Sequence, residues 1–353
     1  MERELDSICV SPQQTLLEVM LAINTNARGI ALVVDGDNRL LDTVTDGDLR
    51  REILAGRGLD RPVCELRPGH TPTTVRDDTP REEALRLMEK KGLRHLPVVD
   101  CDGHLCDLIQ ADDLLFQQNG GRLKLSAVVM AGGKGSRLYP LTVQTPKPLL
   151  SVGEKPLVER TIEQLRAAGV EQVFMATHYK ATHFTEHFGN GDRFGVKISY
   201  LHEESPLGTA GALASLPHSN EPVLVVNGDI LTSINYRAML AFHEENEAEM
   251  TVGVRQFEFS VPYGVVGTNG VDICGITEKP TQTFFVNAGI YLLQSEALSY
   301  VPHGQPFDMT DLIAALLGNG KRIIAFPISE YWLDIGQMAD YEKAQMDFKT
   351  GAV

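Results

Sequence analysis

The sequence predicts an α/β protein in which a Rossmann-like, mixed but mostly parallel sheet follows a smaller α+β domain pair. Two observations support this prediction. From Leu125 onward, apolar runs of strand length alternate with helical patterns, which is typical of a mostly parallel sheet covered by helices. Before that point, one pattern of strand, turn, strand and helix occurs twice, starting at Val33 and again at Val98. The chain should therefore contain two regions of different architecture.

The composition limits the classes of function. The chain has 353 residues and a net charge of −15, so its length suits two or three domains and no basic surface for nucleic acid is expected. The N-terminus is charged and lacks an apolar signal core, and no apolar run approaches the ~20 residues of a membrane helix. The five cysteines fit no zinc framework. We expect a cytoplasmic protein without nucleic-acid or membrane partners.

The repeated segments are residues 33–50 and 98–115. In both copies Asp and Gly favour a turn between the strands, and acidic residues open the helix that follows. Two such units in tandem resemble a CBS-domain pair, the Bateman module. The predicted domain bounds are 1–118 for the tandem pair, with its repeats near 1–58 and 66–118, then 119–124 for a glycine-rich linker and 125–353 for the second domain.

The resemblance to CBS pairs implies a site for an adenine nucleotide. In that family a Thr and an Asp three positions later contact the ribose, and Thr45 and Asp48 match this pattern in the first copy. In the second copy Gln110 replaces the Thr, and only Asp113 remains. The alternative is that Thr45 and Asp48 mark a strand end and a helix cap, in which case the pair is structural or oligomerising.

A buried strand followed by a glycine-rich, cationic loop is the most informative feature of the second domain. The apolar run 125–130 leads into three glycines, and Lys134, Arg137 and Lys147 follow within a short distance. Glycine allows tight turns and close approach of backbone N–H groups to a ligand, and the cations suit phosphoryl oxygens. The spacing is neither the dinucleotide fingerprint nor the Walker A motif. The segment therefore predicts a polyphosphate site of another kind.

Residues 129–148, with Arg137-Leu138 and Pro146-Lys147-Pro148 at this spacing, resemble the signature loop of the sugar-1-phosphate nucleotidylyltransferases. The resemblance implies that Arg137 and Lys147 stabilise the triphosphate and the charge that develops during transfer. The nucleotide-binding residues that it implies in this loop are Ala131, Gly132, Gly133, Gly135 and Ser136.

Two aspartates about a hundred residues apart are the candidate metal ligands. Asp229 follows an apolar strand and a glycine, and Asp334 lies in a Trp-Leu-Asp-Ile-Gly segment. Carboxylates that follow strands are suitable oxygen ligands for Mg²⁺, which also binds substrate phosphates. In the resembled family the Asp of each segment holds the metal, so we expect Asp229 and Asp334 to bind Mg²⁺, with Asp229 also counted as catalytic.

The sugar-phosphate side is implied by Thr277-Glu-Lys-Pro280 and by Val286-Asn-Ala-Gly-Ile-Tyr291. By resemblance, Glu278 accepts hydrogen bonds from sugar hydroxyls and Lys279 binds the sugar phosphate. Asn287 and the backbone of Gly289 are expected to line the hexose. These chemistries match the residue types, since a carboxylate accepts from hydroxyls and an ammonium pairs with a phosphate dianion.

The nucleotide base is expected to contact residues 201–212, where Glu203, Gly208 and Thr209 are the candidates. The Leu-Gly-Thr-Ala-Gly segment resembles the guanylyl-transferring branch of the family. A carboxylate only accepts hydrogen bonds, and guanine presents adjacent N–H donors, whereas uracil and thymine place one N–H between two carbonyls. This favours GTP. Glu204 is the alternative base reader, because the sequence alone does not fix the register.

The expected activity is transfer of GMP from GTP to a hexose or hexosamine 1-phosphate, with release of pyrophosphate. A CBS pair before a guanylyltransferase domain is similar to the domain order of the glucosamine-1-phosphate guanylyltransferases of bacterial legionaminic-acid pathways, which implies GDP-glucosamine as product. The alternatives are transfer to mannose 1-phosphate, uridylyl or thymidylyl transfer, and a non-catalytic nucleotide sensor. The expected partners are GTP and a sugar 1-phosphate, with an adenine nucleotide at the CBS pair and a second copy of the chain in a homo-oligomer.

Overall fold

The computed structural model describes residue 5 and residues 7–26, 28–110 and 122–351. The chain divides into two compact units, Met1–Arg122 and Leu123–Val353. Within the described ranges no helix combines the length and the apolar character that crossing a membrane requires.

The N-terminal unit contains two small three-stranded sheets, each with one parallel and one antiparallel pair. Its strands are β1 (Cys9–Val10), β2 (Ile30–Val34), β3 (Leu40–Thr45), β4 (Val75–Arg76), β5 (His95–Val99) and β6 (Leu105–Gln110). Its described helices are α1 (Leu16–Asn26), α2 (Asp46–Leu54) and α3 (Arg81–Lys91). The order β1-β2-β3 in one sheet is repeated as β4-β5-β6 in the other, so the predicted internal repeat is confirmed for its strands. The helix predicted after β6 and Asp113 lie outside the described residues.

The C-terminal unit contains the large sheet. Its strands are β7 (Ser126–Met130), β8 (Ser151–Val152), β9 (Lys155–Pro156), β10 (Gln172–Thr177), β11 (Lys197–His202), β12 (Val223–Asn227), β13 (Ile230–Thr232), β14 (Met250–Ser260), β15 (Val265–Asn269), β16 (Asp272–Thr277), β17 (Thr281–Leu293), β18 (Ile323–Pro327) and β19 (Trp332–Asp334). Its helices are α4 (Leu157–Ala168), α5 (Ala181–Phe188), α6 (Tyr236–Glu245), α7 (Met309–Gly318) and α8 (Met338–Lys349).

The seven-stranded sheet has the order β11-β10-β7-β12-β17-β14-β18. Four of its neighbouring pairs are parallel, and β17 is antiparallel to both β12 and β14. The predicted mixed, mostly parallel sheet is therefore confirmed. After Ser126, strand β7 is apolar throughout because the sheet is covered on both faces: Val128 and Val129 are completely buried and belong to different core clusters.

Helix α4 illustrates how the sequence determines these elements. Its apolar residues at Val158, Ile162 and Leu165 recur at helical spacing and are buried in the core beside the sheet. Gly169 adopts φ +95° directly after the helix, and its N–H bonds to the carbonyl of Arg166. A left-handed residue at this position ends a helix readily only when it is glycine. The spacing of the apolar residues and the glycine that follows them thus account for the extent of the helix.

Parallel pairing brings the functional loops together. Strands β7 and β12 are adjacent, and Met130 at the end of β7 lies beside Asn227 at the end of β12. Loops that leave the carboxyl ends of neighbouring parallel strands meet at one edge of the sheet, where ligands bind in open α/β folds. The glycine-rich loop and Asp229 therefore share one crevice.

Because His243 is buried, we expect the free energy of unfolding to decrease in acid. His243 bonds through Nδ1 to Thr251 Oγ1 (2.8 Å) and through Nε2 to Gln294 Nε2 (3.0 Å), and burial lowers its pKa to about 4. Between pH 4 and 6.5 the unfolded chain therefore binds more protons at this histidine than the folded chain does. The contribution of neutral His243 to stability is complete above pH 6.5 and is lost as the pH falls toward 4. We expect a loss on the order of 3 kcal/mol between pH 7 and 4.

This expectation is measured by urea unfolding at several pH values, with the fluorescence of Trp332 as the signal, since it is the single tryptophan and lies in the same unit. His243→Gln should be less stable at pH 7 and should show a shallower decline with acid. His303→Gln, at an exposed histidine, is the control and should keep the wild-type slope. Equal slopes in all three proteins would contradict the assignment.

Candidate functional site

The glycine-rich loop begins at the end of β7 and is held in place by backbone geometry. Gly135 adopts φ +61°, and a Cβ there would lie 2.7 Å from Lys147 Cβ, so only glycine fits at this close approach. Thr142 Oγ1 donates to the carbonyl of Gly135 (2.9 Å). The loop is thereby fixed against the segment that carries Lys147.

Lys147 and Asp229 form an ion pair at the mouth of this loop. The Lys147 Nζ atom lies 2.5 Å from Asp229 Oδ2, and the side chains are 13% and 32% exposed. Gly228 is positioned by a hydrogen bond from its N–H to the carbonyl of Met130 (2.9 Å), and a Cβ at Gly228 would lie 2.8 Å from that oxygen. The sequence Gly228-Asp229 therefore allows the carboxylate to stand directly beside the glycine-rich loop.

Asp334 is brought to Asp229 by a short antiparallel pair of strands. In the register of β13 and β19, Ile230 lies opposite Asp334. The N–H of Ile335 also donates to the carbonyl of Asp229 (3.1 Å). The two aspartates, about a hundred residues apart in sequence, thus occupy neighbouring backbone positions.

The charges around Asp334 act on its pKa. Burial and the negative charge of Asp229 raise the pKa of Asp334, while the positive charges of Lys147 and Arg137 act in the opposite direction. Asp229 is partly exposed and Asp334 is exposed, and the two carboxylates repel each other beside cations. Together they form a donor set of hard oxygens. That set fits Mg²⁺, which binds one or two carboxylates together with substrate phosphates.

A cavity of about 300 Å³ opens beside Lys147 and Asp229. It is lined by residues of the glycine-rich loop, of the Lys147 segment, of the loop after β11 and of the end of β12, namely Met130, Gly132, Gly133, Lys147, Pro148, Glu203, Pro206, Gly208, Thr209, Asn227 and Asp229. Seven of the predicted site residues are among them, from three of the predicted motifs. The cavity is of the size that a small-molecule site requires.

The structure decides which glutamate faces the cavity. Glu203 is only 5% exposed and lines the cavity, whereas its neighbour Glu204 is exposed and is not among the lining residues. One carboxylate oxygen of Glu203 accepts from the N–H of Leu207 (3.2 Å). Its backbone carbonyl contacts His178 Nδ1 at 2.9 Å. Glu203 is therefore the glutamate that can contact a base in the cavity, and these hydrogen bonds hold it in place.

Gly208 and Thr209 are anchored from the other side by Asp308. Asp308 Oδ1 accepts from both the N–H and the hydroxyl of Thr209, at 2.8 and 3.1 Å. Gly208 adopts φ +80°, and a Cβ there would lie 2.6 Å from the same oxygen. The Thr209 hydroxyl also accepts from the N–H of Met309 (2.9 Å). The hydroxyl of Thr209 is thus used within the protein.

The residues predicted for the sugar side do not line the cavity. Glu278 and Lys279 lie on an exposed connection between β16 and β17, and Lys279 adopts φ +43°. Asn287 is held by Tyr291, whose hydroxyl accepts from Asn287 Nδ2 (2.8 Å). Gly289 is close to the site, since a Cβ there would lie 2.5 Å from Asn227 Nδ2. Ala131, Gly135, Ser136, Arg137 and Asp334 are also outside the lining set, although Arg137 acts electrostatically on Asp334.

Asn227 and Asp308 belong to the site but received no role from the sequence. Asn227 lines the cavity, and its Oδ1 is buried without a hydrogen-bond partner among the described residues. An unpaired buried acceptor favours a ligand that donates a hydrogen bond. Asn227 directly precedes Gly228-Asp229, so its place at a strand end was a usable signal. Asp308 offered none, because it lies 99 positions from Thr209.

In the N-terminal unit Thr45 and Asp48 form a reciprocal helix cap. The hydroxyl of Thr45 bonds to Asp48 Oδ2 (2.8 Å), and the N–H of each residue bonds to the side chain of the other. The second oxygen of Asp48 lies 2.8 Å from Arg51 and 3.5 Å from Arg67. These contacts favour the alternative in which Thr45 and Asp48 cap α2.

Comparison with known proteins agrees with this geometry. The model of the nucleotidyl transferase family matches residues 126–351, and that of the CBS domain matches residues 1–55 and 63–119. The chain is 33% identical over 235 residues to a Mycobacterium tuberculosis protein named mannose-1-phosphate guanylyltransferase, with 65% of this chain and 66% of that protein covered. It is 33% identical over 227 residues to a mannose-1-phosphate guanyltransferase of Schizosaccharomyces pombe, with 62% of each covered.

A solved structure with the same fold is HddC from Yersinia pseudotuberculosis complexed with GMP-PN, at a TM-score of 0.50 and 26% identity, covering 63% of this chain and 99% of that one. The chain spans less than two thirds of the length of the two curated relatives. The match of the family model over residues 126–351, together with the glycine-rich loop and Asp229 at the cavity, shows that the chain belongs to the nucleotidyl transferase family.

Proposed function

We propose that the chain transfers GMP from GTP to a hexose or hexosamine 1-phosphate and releases pyrophosphate. The observation that carries this proposal is the arrangement of Lys147 and Asp229, 2.5 Å apart, in a cavity that the glycine-rich loop and Glu203 also line. Cations and backbone N–H groups suit the phosphates of a nucleotide, and the paired aspartates suit a metal ion. The curated relatives named guanylyltransferases support the guanylyl donor.

The reaction needs no nucleophile from the protein. An oxygen of the sugar phosphate attacks the α-phosphorus of GTP, a new P–O bond forms, and the bond to the β-phosphate breaks with its electron pair leaving on pyrophosphate. The residues that carry this step act by position and charge. Lys147 and Arg137 neutralise the triphosphate. Lys279 binds the sugar phosphate, and Glu278 accepts hydrogen bonds from the sugar hydroxyls.

Asp229 and Asp334 are the residues that would hold Mg²⁺. A bound Mg²⁺ neutralises phosphate charge and orients the phosphates. Lys147 is paired with Asp229 in the structure and is therefore within reach of any phosphate placed beside the metal ligands. When nucleotide binds, the ammonium can exchange the carboxylate for a phosphoryl oxygen without a large movement.

If Glu203 recognises the base, a substitution of Glu203 should change the nucleotide specificity. Glu203→Gln replaces an acceptor by a group that also donates, so guanine loses one complementary contact and uracil gains one. We expect the preference for GTP over UTP to fall by about ten- to a hundredfold, on the scale of ~1–3 kcal/mol for a mispaired buried group. Steady-state kinetics with both nucleotides measure it. Glu204→Gln, at the exposed neighbour, should retain the preference; an unchanged ratio in Glu203→Gln would refute the assignment.

Asp308 does not line the cavity, but it anchors Thr209, which does. We therefore expect a substitution of Asp308 to weaken nucleotide binding. Asp308→Ala leaves the N–H of Thr209 without its acceptor, so the loop that carries Gly208 should loosen. We expect the KM for nucleotide to rise about tenfold with a smaller change in kcat, because a single hydrogen bond to a charged group contributes about 1.5–3 kcal/mol. Asp308→Asn retains an acceptor and should restore most of the affinity.

Asp311 supplies the matched control for this prediction. Its carboxylate accepts from the N–H of Asp308 in the same helix cap but makes no contact with Thr209. Asp311→Ala should lower the melting temperature as Asp308→Ala does while leaving the KM near the wild-type value. Equal KM values in the two alanine variants would show that Asp308 acts only on the stability of α7.

The acceptor sugar separates two versions of the proposal. The names of the curated relatives favour mannose 1-phosphate, and the order of a CBS pair before the transferase domain favours glucosamine 1-phosphate. Four nucleoside triphosphates crossed with a panel of hexose and hexosamine 1-phosphates, with pyrophosphate release as the signal, distinguish them. Uridylyl or thymidylyl transfer would appear as a higher rate with UTP or dTTP. Absence of pyrophosphate in every combination would leave the non-catalytic sensor as the answer.

We also propose that the N-terminal unit binds an adenine nucleotide that tunes this activity. The two CBS matches support the proposal, although the side chains of Thr45 and Asp48 are already bonded to each other. AMP and ATP are titrated against the transfer rate and the melting temperature. A shift in either supports the proposal, and no shift with either nucleotide would end it.

A further inference from the structure

The amide oxygen of Asn227 is a buried hydrogen-bond acceptor that the protein itself does not use. Five side-chain atoms in the described part of the chain are buried without a hydrogen-bond partner, and Asn227 Oδ1 is the one whose residue lines the cavity. An unpaired buried acceptor is unfavourable, and a ligand that brings an O–H or N–H group to it removes this penalty. The oxygen therefore marks a point in the cavity where a ligand donates a hydrogen bond.

The neighbouring strands hold the Asn227 amide in place. Asn227 ends β12 and lies beside Met130, the last residue of β7. On the other side of β12 is β17, where a Cβ at Gly289 would lie 2.5 Å from Asn227 Nδ2. This close approach leaves the amide little freedom to rotate. Because Nδ2 faces Gly289, Oδ1 at the other corner of the planar amide points away from β17.

The cavity that Asn227 lines is the nucleotide side of the site. Its lining includes the glycine-rich loop, Lys147 and Glu203. Glu278 and Lys279, which are proposed to bind the acceptor, lie on an exposed connection and do not line it. A hydrogen-bond donor that meets Asn227 in this cavity therefore belongs to the nucleotide and not to the acceptor sugar.

The chemistry of a nucleoside triphosphate indicates which donor this is. Its donors are the N–H groups of the base and the hydroxyls of the ribose, because ionised phosphates only accept. The base is assigned to Glu203, whose Oε2 lies 3.6 Å from the place of a Cβ at Gly132. Glu203 follows β11 and Asn227 ends β12, so they lie on opposite sides of β7, where the glycine-rich loop begins. The ribose hydroxyls are the donors that remain for Asn227.

The position of Asn227 relative to the phosphate site agrees with this assignment. Asn227 is two positions before Asp229, and two residues of chain span at most about 7 Å. The carboxylate of Asp229 lies 2.5 Å from Lys147 Nζ, where the phosphates are expected. The ribose of a nucleotide is joined directly to its α-phosphate. A residue so close to the phosphate site is therefore within reach of the ribose.

We propose that Asn227 accepts a hydrogen bond from a ribose hydroxyl and makes the enzyme prefer a ribonucleotide to a deoxyribonucleotide. The proposal rests on the proposed transfer reaction for the identity of the nucleotide. Glu203 contacts the base, and Asn227 contacts the sugar of the same nucleotide. A nucleotide that lacks the hydroxyl leaves the buried oxygen unpaired in the complex and therefore binds more weakly.

Equilibrium binding of GTP, dGTP and 3′-deoxyguanosine triphosphate to the full chain, with Mg²⁺ and without sugar phosphate, tests the proposal. We expect the wild type to bind GTP about ten- to a hundredfold more tightly than at least one of the two deoxy nucleotides, on the scale of one unpaired buried acceptor. Asn227→Leu has the same branching at Cγ but no acceptor, so its affinities for GTP and for that deoxy nucleotide should be nearly equal. Asn227→Ala removes the same oxygen without adding bulk and should give the same result.

Two further variants separate this effect from a general loss of binding. Asn227→Asp keeps an acceptor at the same place, so it should retain the preference for GTP although its added charge weakens the binding of every nucleotide. Glu203→Gln should change the preference between GTP and UTP but retain the preference for GTP over the deoxy nucleotide. Circular dichroism and the melting temperature establish that each variant is folded.

A preference for GTP over a deoxy nucleotide that is lost in Asn227→Leu or Asn227→Ala and retained in Asn227→Asp would support the proposal. Equal affinities for all three nucleotides in the wild type would overturn it, as would a preference that survives removal of the amide oxygen or is lost in Asn227→Asp. An unchanged preference together with a raised KM for the sugar phosphate would assign the oxygen to the acceptor instead. Because binding requires no turnover, a wild type that shows the preference but releases no pyrophosphate would refute the transfer reaction and support the role of Asn227.

Discussion

Asp229→Asn should lower kcat by about a thousandfold or more, since loss of a metal ligand removes several kcal/mol of transition-state stabilisation. The variant keeps the shape of the side chain but not its charge, so a bound Mg²⁺ would lose one of the two carboxylates that the strand pair β13–β19 brings together. The fold should be retained. Asp229 is partly exposed, and the amide oxygen of Asn can still accept a hydrogen bond from Lys147, so we expect only a small effect on stability.

Turnover, Mn²⁺ affinity by electron paramagnetic resonance and melting temperature are measured together for this variant. Glu163→Gln is the matched control, because Glu163 forms an ion pair with Lys155 at the same distance of 2.5 Å on α4, away from the cavity. The control should retain full activity and metal binding. A near-normal rate in Asp229→Asn would remove the metal assignment, and a large loss of melting temperature would show a structural role instead.

Lys147→Met should lower kcat/KM by about a hundred- to a thousandfold, as removal of one preorganised charge from a phosphoryl-transfer site commonly does. Lys147 is largely buried, and the Cβ that any other residue would add at Gly135 would lie 2.7 Å from its own Cβ. Its ammonium is held 2.5 Å from Asp229 at the cavity, so its charge is in place before the substrate binds. The effect should exceed that of Lys155→Met, which breaks the ion pair between Lys155 on β9 and Glu163 on α4.

The two variants at this ion pair should also be coupled. In the wild type Lys147 and Asp229 neutralise each other, so the double variant should be little less stable than either single variant. The double variant should be no less active than the less active of the two single variants, because either substitution alone already disables the same step. If the two losses of activity multiply in full, Lys147 and Asp229 act in separate steps.

Local pattern predicted the elements of this fold because periodicity and turn residues act within a few positions of the chain. The apolar spacing of helix α4 and strand β10 agrees with their observed extents, and Gly169 ends the helix through its left-handed conformation. The position of Asp229 at a strand end was also predictable, because the residue after an apolar run in a parallel sheet lies at the ligand-binding edge.

Features that depend on distant contacts could not be derived in this way. The choice between Glu203 and Glu204 is decided by which of two adjacent residues turns inward after β11, and both residues have the same chemistry. Asp308 reaches Thr209 only because the chain returns from almost a hundred residues away. Strands β15 and β16 contain branched apolar residues of the kind that is common in buried strands, so the sequence did not show that no other described strand pairs with them.

The central claim is that the cavity between the glycine-rich loop and the paired aspartates joins a nucleotide to a sugar phosphate. Phosphorus NMR of one reaction with GTP, Mg²⁺ and mannose 1-phosphate or glucosamine 1-phosphate tests it most directly. We expect pyrophosphate and a nucleoside diphosphate sugar to accumulate in equal amounts as GTP disappears, and both to be absent with Asp229→Asn. Orthophosphate as the only product, or unchanged substrates with every sugar phosphate of the panel, would contradict the claim.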